Sequence, residues 1–196
     1  VSMIYVVYGK EEYLVDQKVK ELAPTSINYD LEFDSLKDVL FDASMMTLLG
    51  EKKYIVVNNP YFLSIAKEGD PVIDTTMLED YLNNINPNTV LIFKYYKDKL
   101  MESKKITKLL KNKGVFYEFN KTNNLDIIKD RLDGFKIDKE SINILLDRVG
   151  DNTGILINEI EKLKTYKYDS KEITKEDVLT INKYEEIDFF KFIDHI

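Results

Sequence analysis

The sequence has no cysteine, no tryptophan and one histidine among its 196 residues. Without cysteine the chain cannot form disulfide bonds or thiolate metal sites, which fits an intracellular protein. His195 stands beside the end of the sequence, where chains are usually poorly ordered, so we expect no histidine-dependent chemistry. No apolar run approaches the roughly 20 residues of a membrane span. We therefore expect a cytoplasmic protein without a membrane partner or a metal site.

Arginine is scarce as well, since it occurs only at Arg131 and Arg148. The formal net charge of −7 argues against a protein whose whole surface binds nucleic acid, although it leaves room for a local basic patch. The hydrophobic content of 44% is ordinary for a globular protein, so a buried core is expected.

Five runs rich in β-branched and aromatic residues alternate with segments of helical periodicity. Strands separated by helices favour parallel crossovers, so we predict a three-layer α/β domain with a five-stranded parallel sheet. The predicted strands are Ile4–Tyr8, Ile27–Phe33, Lys53–Val57, Thr89–Tyr96 and Val115–Phe119. The predicted helices between them are Tyr13–Leu22, Leu36–Ala43, Thr76–Ile85 and Met101–Lys113.

The pattern changes near Leu125, after which every segment has helical periodicity. The predicted helices are Leu125–Leu132, Lys139–Val149, Gly154–Tyr166 and Lys175–Ile181. We therefore place an α/β domain at 1–122 and a small helical domain at 123–182. The segment 183–196 starts another helix and is interpreted as the beginning of a third, truncated domain.

The first strand ends in Gly9-Lys10, as the strand before a phosphate-binding P-loop does. That motif also needs a glycine five residues before Gly9 and a serine or threonine after the lysine. This chain has Ile4 and Glu11 at those positions. Glu11 and the following Glu12 would repel phosphates, and neither supplies the hydroxyl that holds Mg²⁺.

The acidic strand end of a nucleotide-hydrolysing domain is missing too. The third predicted strand ends in Val57-Asn58-Asn59, and amides cannot act as a base at neutral pH. Two independent losses predict a chain with no catalytic residues, no nucleotide-binding residues and no cofactor. The alternative is a hydrolase with a degenerate loop, which would still bind Mg-ATP.

The connector Ala43–Lys53, which leads into the third strand, is unusually apolar because it contains Met45, Met46, Leu48 and Leu49. Connectors normally run over the surface. Either these side chains fold inward as the end of the preceding helix, or they stay exposed until a partner covers them. Methionine and leucine suit such a contact because they are flexible and rich in contact area.

The segment Lys97–Lys113 is rich in lysine. One interpretation is a solvated helix face opposite an apolar stripe. The other is a DNA-binding module that contacts the phosphate backbone, and its DNA-facing residues would be Lys104, Lys105, Lys108 and Lys111.

Three elements, in this order and spacing, resemble the delta subunit of bacterial DNA polymerase III, a clamp-loader family. The first is Tyr5–Leu14, with its apolar strand, Tyr-Gly pair, acidic pair, aromatic residue and leucine. The second is Met46–Lys53, which looks like the clamp-binding segment of the family. The third is Gly150-Asp151-Asn152 followed by Ile155–Leu163, which is similar to an element of the family's second domain.

The resemblance implies an AAA+-like α/β domain that binds no ATP, a helical lid domain and a collar domain beginning at 183–196. It also implies a subunit that binds the β sliding clamp and opens the ring for loading onto primed DNA, without catalytic activity of its own. Met46, Thr47, Leu48 and Leu49 would be the clamp-binding residues. The implied partners are the sliding clamp, the other clamp-loader subunits through the collar, and primed DNA indirectly.

Overall fold

The computed structural model describes residues 3–47, 50–65, 69–70, 72–121 and 123–181. The chain divides into two compact units, Val1–Lys121 and Thr122–Ile196. Leu48, Leu49, His195 and the predicted start of a collar at 183–196 lie outside the described residues. The assignment of three functional domains stays a prediction.

The first unit contains a five-stranded, fully parallel sheet, which confirms the predicted fold class. Its spatial order is β2-β3-β4-β1-β5. In this register Val6 of the central strand β1 lies beside Phe93 of β4. The strands are β1 (Ile4–Tyr8), β2 (Ile27–Asp30), β3 (Lys53–Asn58), β4 (Thr89–Tyr95) and β5 (Val115–Glu118). Because every pair is parallel, all five strand ends that bear the loops into the following segments lie along one edge.

Helices cover both faces of this sheet and produce three layers. The helices are α1 (Glu12–Leu22), α2 (Leu36–Ser44), α3 (Thr76–Asn83) and α4 (Lys105–Lys113), and a short 3₁₀ turn spans Tyr61–Leu63. On one face, Val15 and Val19 of α1 pack against Val7 and Ile92. On the other face, α2, α3 and α4 share a larger core. Because both faces of the inner strands β1, β3 and β4 are covered, these three strands are nearly continuous apolar runs in the sequence.

Most limits agree within about two residues, but β2 and α4 differ from their predicted limits by more. β2 ends at Asp30 instead of Phe33, because the chain turns there: the Asp30 N–H donates to Asp34 Oδ2 (2.7 Å) and the Phe33 N–H to the Asp30 carbonyl (2.9 Å). α4 begins at Lys105 instead of Met101. The Met101 N–H donates to the Leu63 carbonyl (2.7 Å), so this segment is bonded to the 3₁₀ turn instead of to a helix.

The second unit is mainly helical but not entirely so. Its helices are α5 (Asn124–Arg131), α6 (Lys139–Val149), α7 (Thr153–Tyr166) and a helical segment at 175–181. Two short strands, β6 (Lys136–Ile137) and β7 (Glu172–Ile173), pair in parallel, so the expectation of an all-helical segment was wrong here. Strands of two residues are too short to show a sequence period.

Candidate functional site

The turn between β1 and α1, where a P-loop would bind phosphates, has only three residues, Gly9–Glu11. Phosphate binding by such a turn depends on free backbone N–H groups at the start of the helix. All three N–H groups of this turn donate within the chain instead: Gly9 to the Tyr95 carbonyl (3.1 Å), Lys10 to Asn120 Oδ1 (3.1 Å) and Glu11 to the Phe119 carbonyl (3.0 Å). The N–H groups that would bind a nucleotide phosphate are therefore already bonded to residues at the end of β4 and just after β5.

Gly9 is required here by close packing. Its φ is +148°, and a Cβ at this position would lie 2.2 Å from the Phe119 carbonyl oxygen. Such a contact is impossible without moving the backbone at the end of β5. The glycine that resembled a P-loop residue therefore allows β5 to close over the turn.

Asn120 connects three segments at this edge of the sheet. Its amide nitrogen donates to the Asp98 carbonyl (2.5 Å) and to Glu118 Oε1 (2.6 Å), and the Tyr8 hydroxyl donates to Glu118 Oε2 (2.8 Å). The Lys10 ammonium forms an ion pair with Asp98 Oδ2 (3.2 Å). The Tyr8 hydrogen bond lowers the pKa of Glu118, and burial together with Glu118 raises the pKa of Tyr8. The same Lys10 contact lowers the pKa of Asp98.

Asn58 and Asn59, at the end of β3, hold β2 in place. Asn58 Nδ2 donates to the Tyr29 carbonyl (3.0 Å), and Asn59 Nδ2 donates to Asp30 Oδ1 (2.8 Å). Both side chains therefore have structural contacts at the position where a hydrolase needs an acid. Within the described part of the chain, no group of three His, Asp or Glu side chains is placed to hold a metal ion.

The apolar connector after α2 begins on the surface. Met45 is 50% exposed and Met46 is 82% exposed, so the alternative in which these methionines fold into the core is wrong. The end of α2 is nevertheless well anchored, because Asn86 Nδ2 donates to the carbonyls of Ala43 (3.1 Å) and Met45 (3.3 Å). The backbone at Met45 is therefore held in place, while the side chains of Met45 and Met46 stay exposed.

Thr47, in the predicted clamp-binding segment Met46–Leu49, forms two hydrogen bonds with the residues that begin the described chain again at Gly50. The Gly50 N–H donates to the Thr47 carbonyl (3.2 Å), and the Thr47 hydroxyl donates to the Glu51 carbonyl (2.7 Å). Leu48 and Leu49 lie outside the described residues. Their part in clamp binding, and that of Met46 and Thr47, stays a prediction.

An ion pair holds the two ends of this connector together. Lys53, at the start of β3, donates to Asp42 of α2 through both the carbonyl (2.6 Å) and Oδ1 (2.8 Å). The Tyr29 hydroxyl donates to Asp42 Oδ2 (3.1 Å), and burial with this contact raises the Tyr29 pKa. The contacts among Lys53, Asp42 and Tyr29 fix the distance between the end of α2 and the start of β3.

The four lysines predicted to face DNA have different environments. Lys104 is partly buried, and its ammonium donates to the carbonyls of Phe62 (3.0 Å) and Ser64 (2.7 Å). Lys108 is exposed. The other two pair with carboxylates: Lys105 with Glu79 (2.5 Å) and Lys111 with Glu102 (2.6 Å). Exposed ion pairs are weak and exchange readily. DNA contact by the four lysines stays a prediction.

Sequence reasoning did not identify Asn120 or Asn86, although both organise these sites. Asn120 follows a predicted strand, as Asn58 does, and a polar residue at a strand end was the only available signal. Asn86 stands in a turn with several asparagines, and nothing in the pattern distinguishes it from its neighbours.

Comparison with known proteins identifies the family. Residues 5–120, more than half of the chain, match the family model for the DNA polymerase III delta subunit. The chain belongs to this family. It is 29% identical over 213 residues to DNA polymerase III subunit delta of Bacillus subtilis (strain 168), covering 100% of this chain and 61% of that protein.

A solved structure supports the fold of most of the chain. The Bacillus subtilis DNA clamp loader delta protein superposes with a TM-score of 0.79 at 30% identity, covering 91% of this chain and 57% of that one. The chain therefore spans about three fifths of the length of these relatives. The likeness supports the predicted α/β fold. None of the described helices is long and apolar enough to cross a membrane.

Proposed function

We propose that this chain is the clamp-binding part of a clamp-loader delta subunit, acting in the cytoplasm during DNA replication. It binds a sliding clamp through the Met46–Leu49 segment and opens the ring for loading onto primed DNA. The observation that carries this proposal is the exposure of Met45 (50%) and Met46 (82%) on a connector whose start is anchored by Asn86. Exposed flexible apolar side chains on a fixed backbone suit an interface because the backbone loses little conformational freedom on binding.

Ring opening by such a segment needs no covalent chemistry from this chain. A partner shifts a conformational equilibrium only by the difference between its affinities for the two states. The segment would therefore bind the opened clamp more tightly than the closed clamp. The rest of the loader would attach through the collar domain expected from 183 onward.

We infer further that the chain does not hydrolyse nucleotides. The N–H groups of Gly9, Lys10 and Glu11 already donate to the chain, and Asn58 occupies the position that needs an acid. Its AAA+-like unit serves in this proposal as a scaffold that places the Met46–Leu49 segment.

The test is a calorimetric titration of the chain with the sliding clamp of the same organism. The Leu48→Ala/Leu49→Ala double variant should lose about 2–4 kcal/mol of binding free energy, as truncated hot-spot residues do. Ile65→Ala is the matched control, because Ile65 is 71% exposed on a different connector. Unchanged clamp affinity of a correctly folded double variant would reject the assignment.

A further inference from the structure

The connector between α2 and β3 has its two ends bonded to each other through one lysine. The ammonium of Lys53, the first residue of β3, donates to the carbonyl and to Oδ1 of Asp42 in the last turn of α2. The same Asp42 carbonyl accepts the N–H of Met45, the first residue after α2, over 3.1 Å. The start of the connector and the residue that follows its end therefore share one acceptor oxygen.

Lys53 also supplies a positive charge that α2 lacks at its C-terminal end. The last turn of α2 contains no basic residue, and the free carbonyl groups of a helix end carry partial negative charge. The side chain of Lys53 is 12% exposed and that of Asp42 is 22% exposed. Solvent and salt screen such an enclosed pair less than an exposed one, and its loss would leave an enclosed charge without its partner.

The turn between α3 and β4 bonds to both ends of the connector as well. Asn86 Nδ2 donates to the Met45 carbonyl (3.3 Å), and the Lys53 N–H donates to the Asn88 carbonyl (2.8 Å). The turn itself is held together, because the Asn88 N–H donates to Asn86 Oδ1 (3.0 Å). Two separate sets of hydrogen bonds therefore set the spacing between Met45 and Lys53.

We propose that Lys53 and Asp42 are positioning residues for clamp binding: their ion pair holds the ends of the connector at the spacing at which a sliding clamp accepts it. The proposal rests on the proposed function, because that function assigns clamp binding to this connector. Neither side chain has to touch the clamp, since both are largely enclosed. A connector whose ends are held in advance loses less conformational freedom on binding, so the pair raises affinity without adding a contact.

The first experiment titrates the sliding clamp with Lys53→Met, which keeps an unbranched side chain and removes the ammonium. We expect Kd to rise about three- to tenfold. Lys94→Met is the matched control, because Lys94 also lies on a strand, has a side chain that is 20% exposed and pairs with a helix aspartate, Asp16 (3.0 Å). Urea unfolding should show a loss of stability for both variants, whereas Kd should rise for Lys53→Met alone. A Kd that rises equally in both variants, or in neither, would overturn the proposal.

Asp42→Asn is a second, milder variant, because it keeps the carbonyl that Lys53 and Met45 share and removes only the charge of the side chain. We expect its Kd to rise about two- to threefold. The double variant Asp42→Asn/Lys53→Met should bind no more weakly than Lys53→Met, since both changes remove the same contact. An unchanged Kd for folded Asp42→Asn, or a double variant whose loss equals the product of the two single losses, would overturn the positioning role.

The Leu48→Ala/Leu49→Ala variant separates this proposal from the proposed function. If it weakens clamp binding while Lys53→Met and Asp42→Asn do not, the positioning role is overturned and the proposed function stands. If it binds the clamp as the parent does, the proposed function is rejected and the positioning role is rejected with it.

Discussion

The backbone N–H of Lys10 donates to the side-chain oxygen of Asn120 over 3.1 Å, although the two residues are 110 positions apart. Asn120 thus supplies, from within the chain, an acceptor oxygen at the place where a P-loop would meet a phosphate oxygen. The same side chain holds the Asp98 carbonyl and Glu118. The edge of the sheet that binds nucleotide in a P-loop ATPase is here closed by its own residues.

Asn120→Ala should destabilise the first unit by about 1–2 kcal/mol, because it removes three hydrogen bonds of a partly exposed group. Urea unfolding measures the change in free energy, and amide hydrogen exchange at Lys10 should accelerate at the same time. Asn112→Ala is the control, since Asn112 is exposed on α4. Equal stability of the Asn120 variant and the parent would contradict the role described for this side chain.

Gly9→Ala should be more damaging, by about 2–4 kcal/mol, since it combines a strained backbone with a backbone clash. Gly69→Ala separates the two causes. Gly69 also has a positive φ (+93°), but a Cβ added there would have no atom within 4 Å. Thermal unfolding should show a small decrease in Tm for Gly69→Ala and a large one for Gly9→Ala. Similar decreases in Tm for the two variants would mean that the clash with the Phe119 backbone does not contribute to the destabilisation.

Glu11→Ser restores the residue type that follows the lysine of a P-loop, yet we expect no Mg-ATP binding. The turn still has three residues, and its N–H groups remain bonded to Tyr95, Asn120 and Phe119. Isothermal titration with Mg-ATP should give no binding heat for either the parent or the variant at millimolar nucleotide. A saturable heat for the parent would support the degenerate-hydrolase alternative instead.

The elements of this fold that can be predicted from sequence are those with a strong local pattern of apolar residues. β1 and β4 are buried on both faces, so their continuous apolar runs identified them correctly. The start of α4 was misplaced because a tertiary hydrogen bond from Met101 to Leu63 overrides a helical pattern. The contacts of Asn120 and Asn86 join residues tens of positions apart, and no local pattern encodes such partners.

Because the pKa of Glu118 is lowered in the folded protein, we expect the free energy of unfolding to decrease in acid. Its hydrogen bond from Tyr8 lowers its pKa below the ordinary value of 4.5, so the ionised form stabilises the folded state. That contribution is present above pH 4.5 and is lost as the pH falls through the lowered pKa of the folded state. Glu118→Gln should therefore show a shallower decrease in unfolding free energy below pH 4.5 than the parent. Parallel pH profiles would contradict this linkage.

Asn86→Ala tests whether the connector that we propose to bind the clamp is preorganised. Asn86 bonds to the backbone of Ala43 and Met45 and is not part of the Met46–Leu49 segment, so its loss should act through backbone order. We expect clamp affinity to fall about three- to tenfold, because binding would then have to order the connector. Asn83→Ala, at an exposed position of α3, is the control. Hydrogen exchange at Met45 should accelerate in Asn86→Ala alone. Faster exchange with an unchanged Kd would show that a fixed connector is not needed for clamp binding, because the clamp would then accept the segment equally well from a loose backbone.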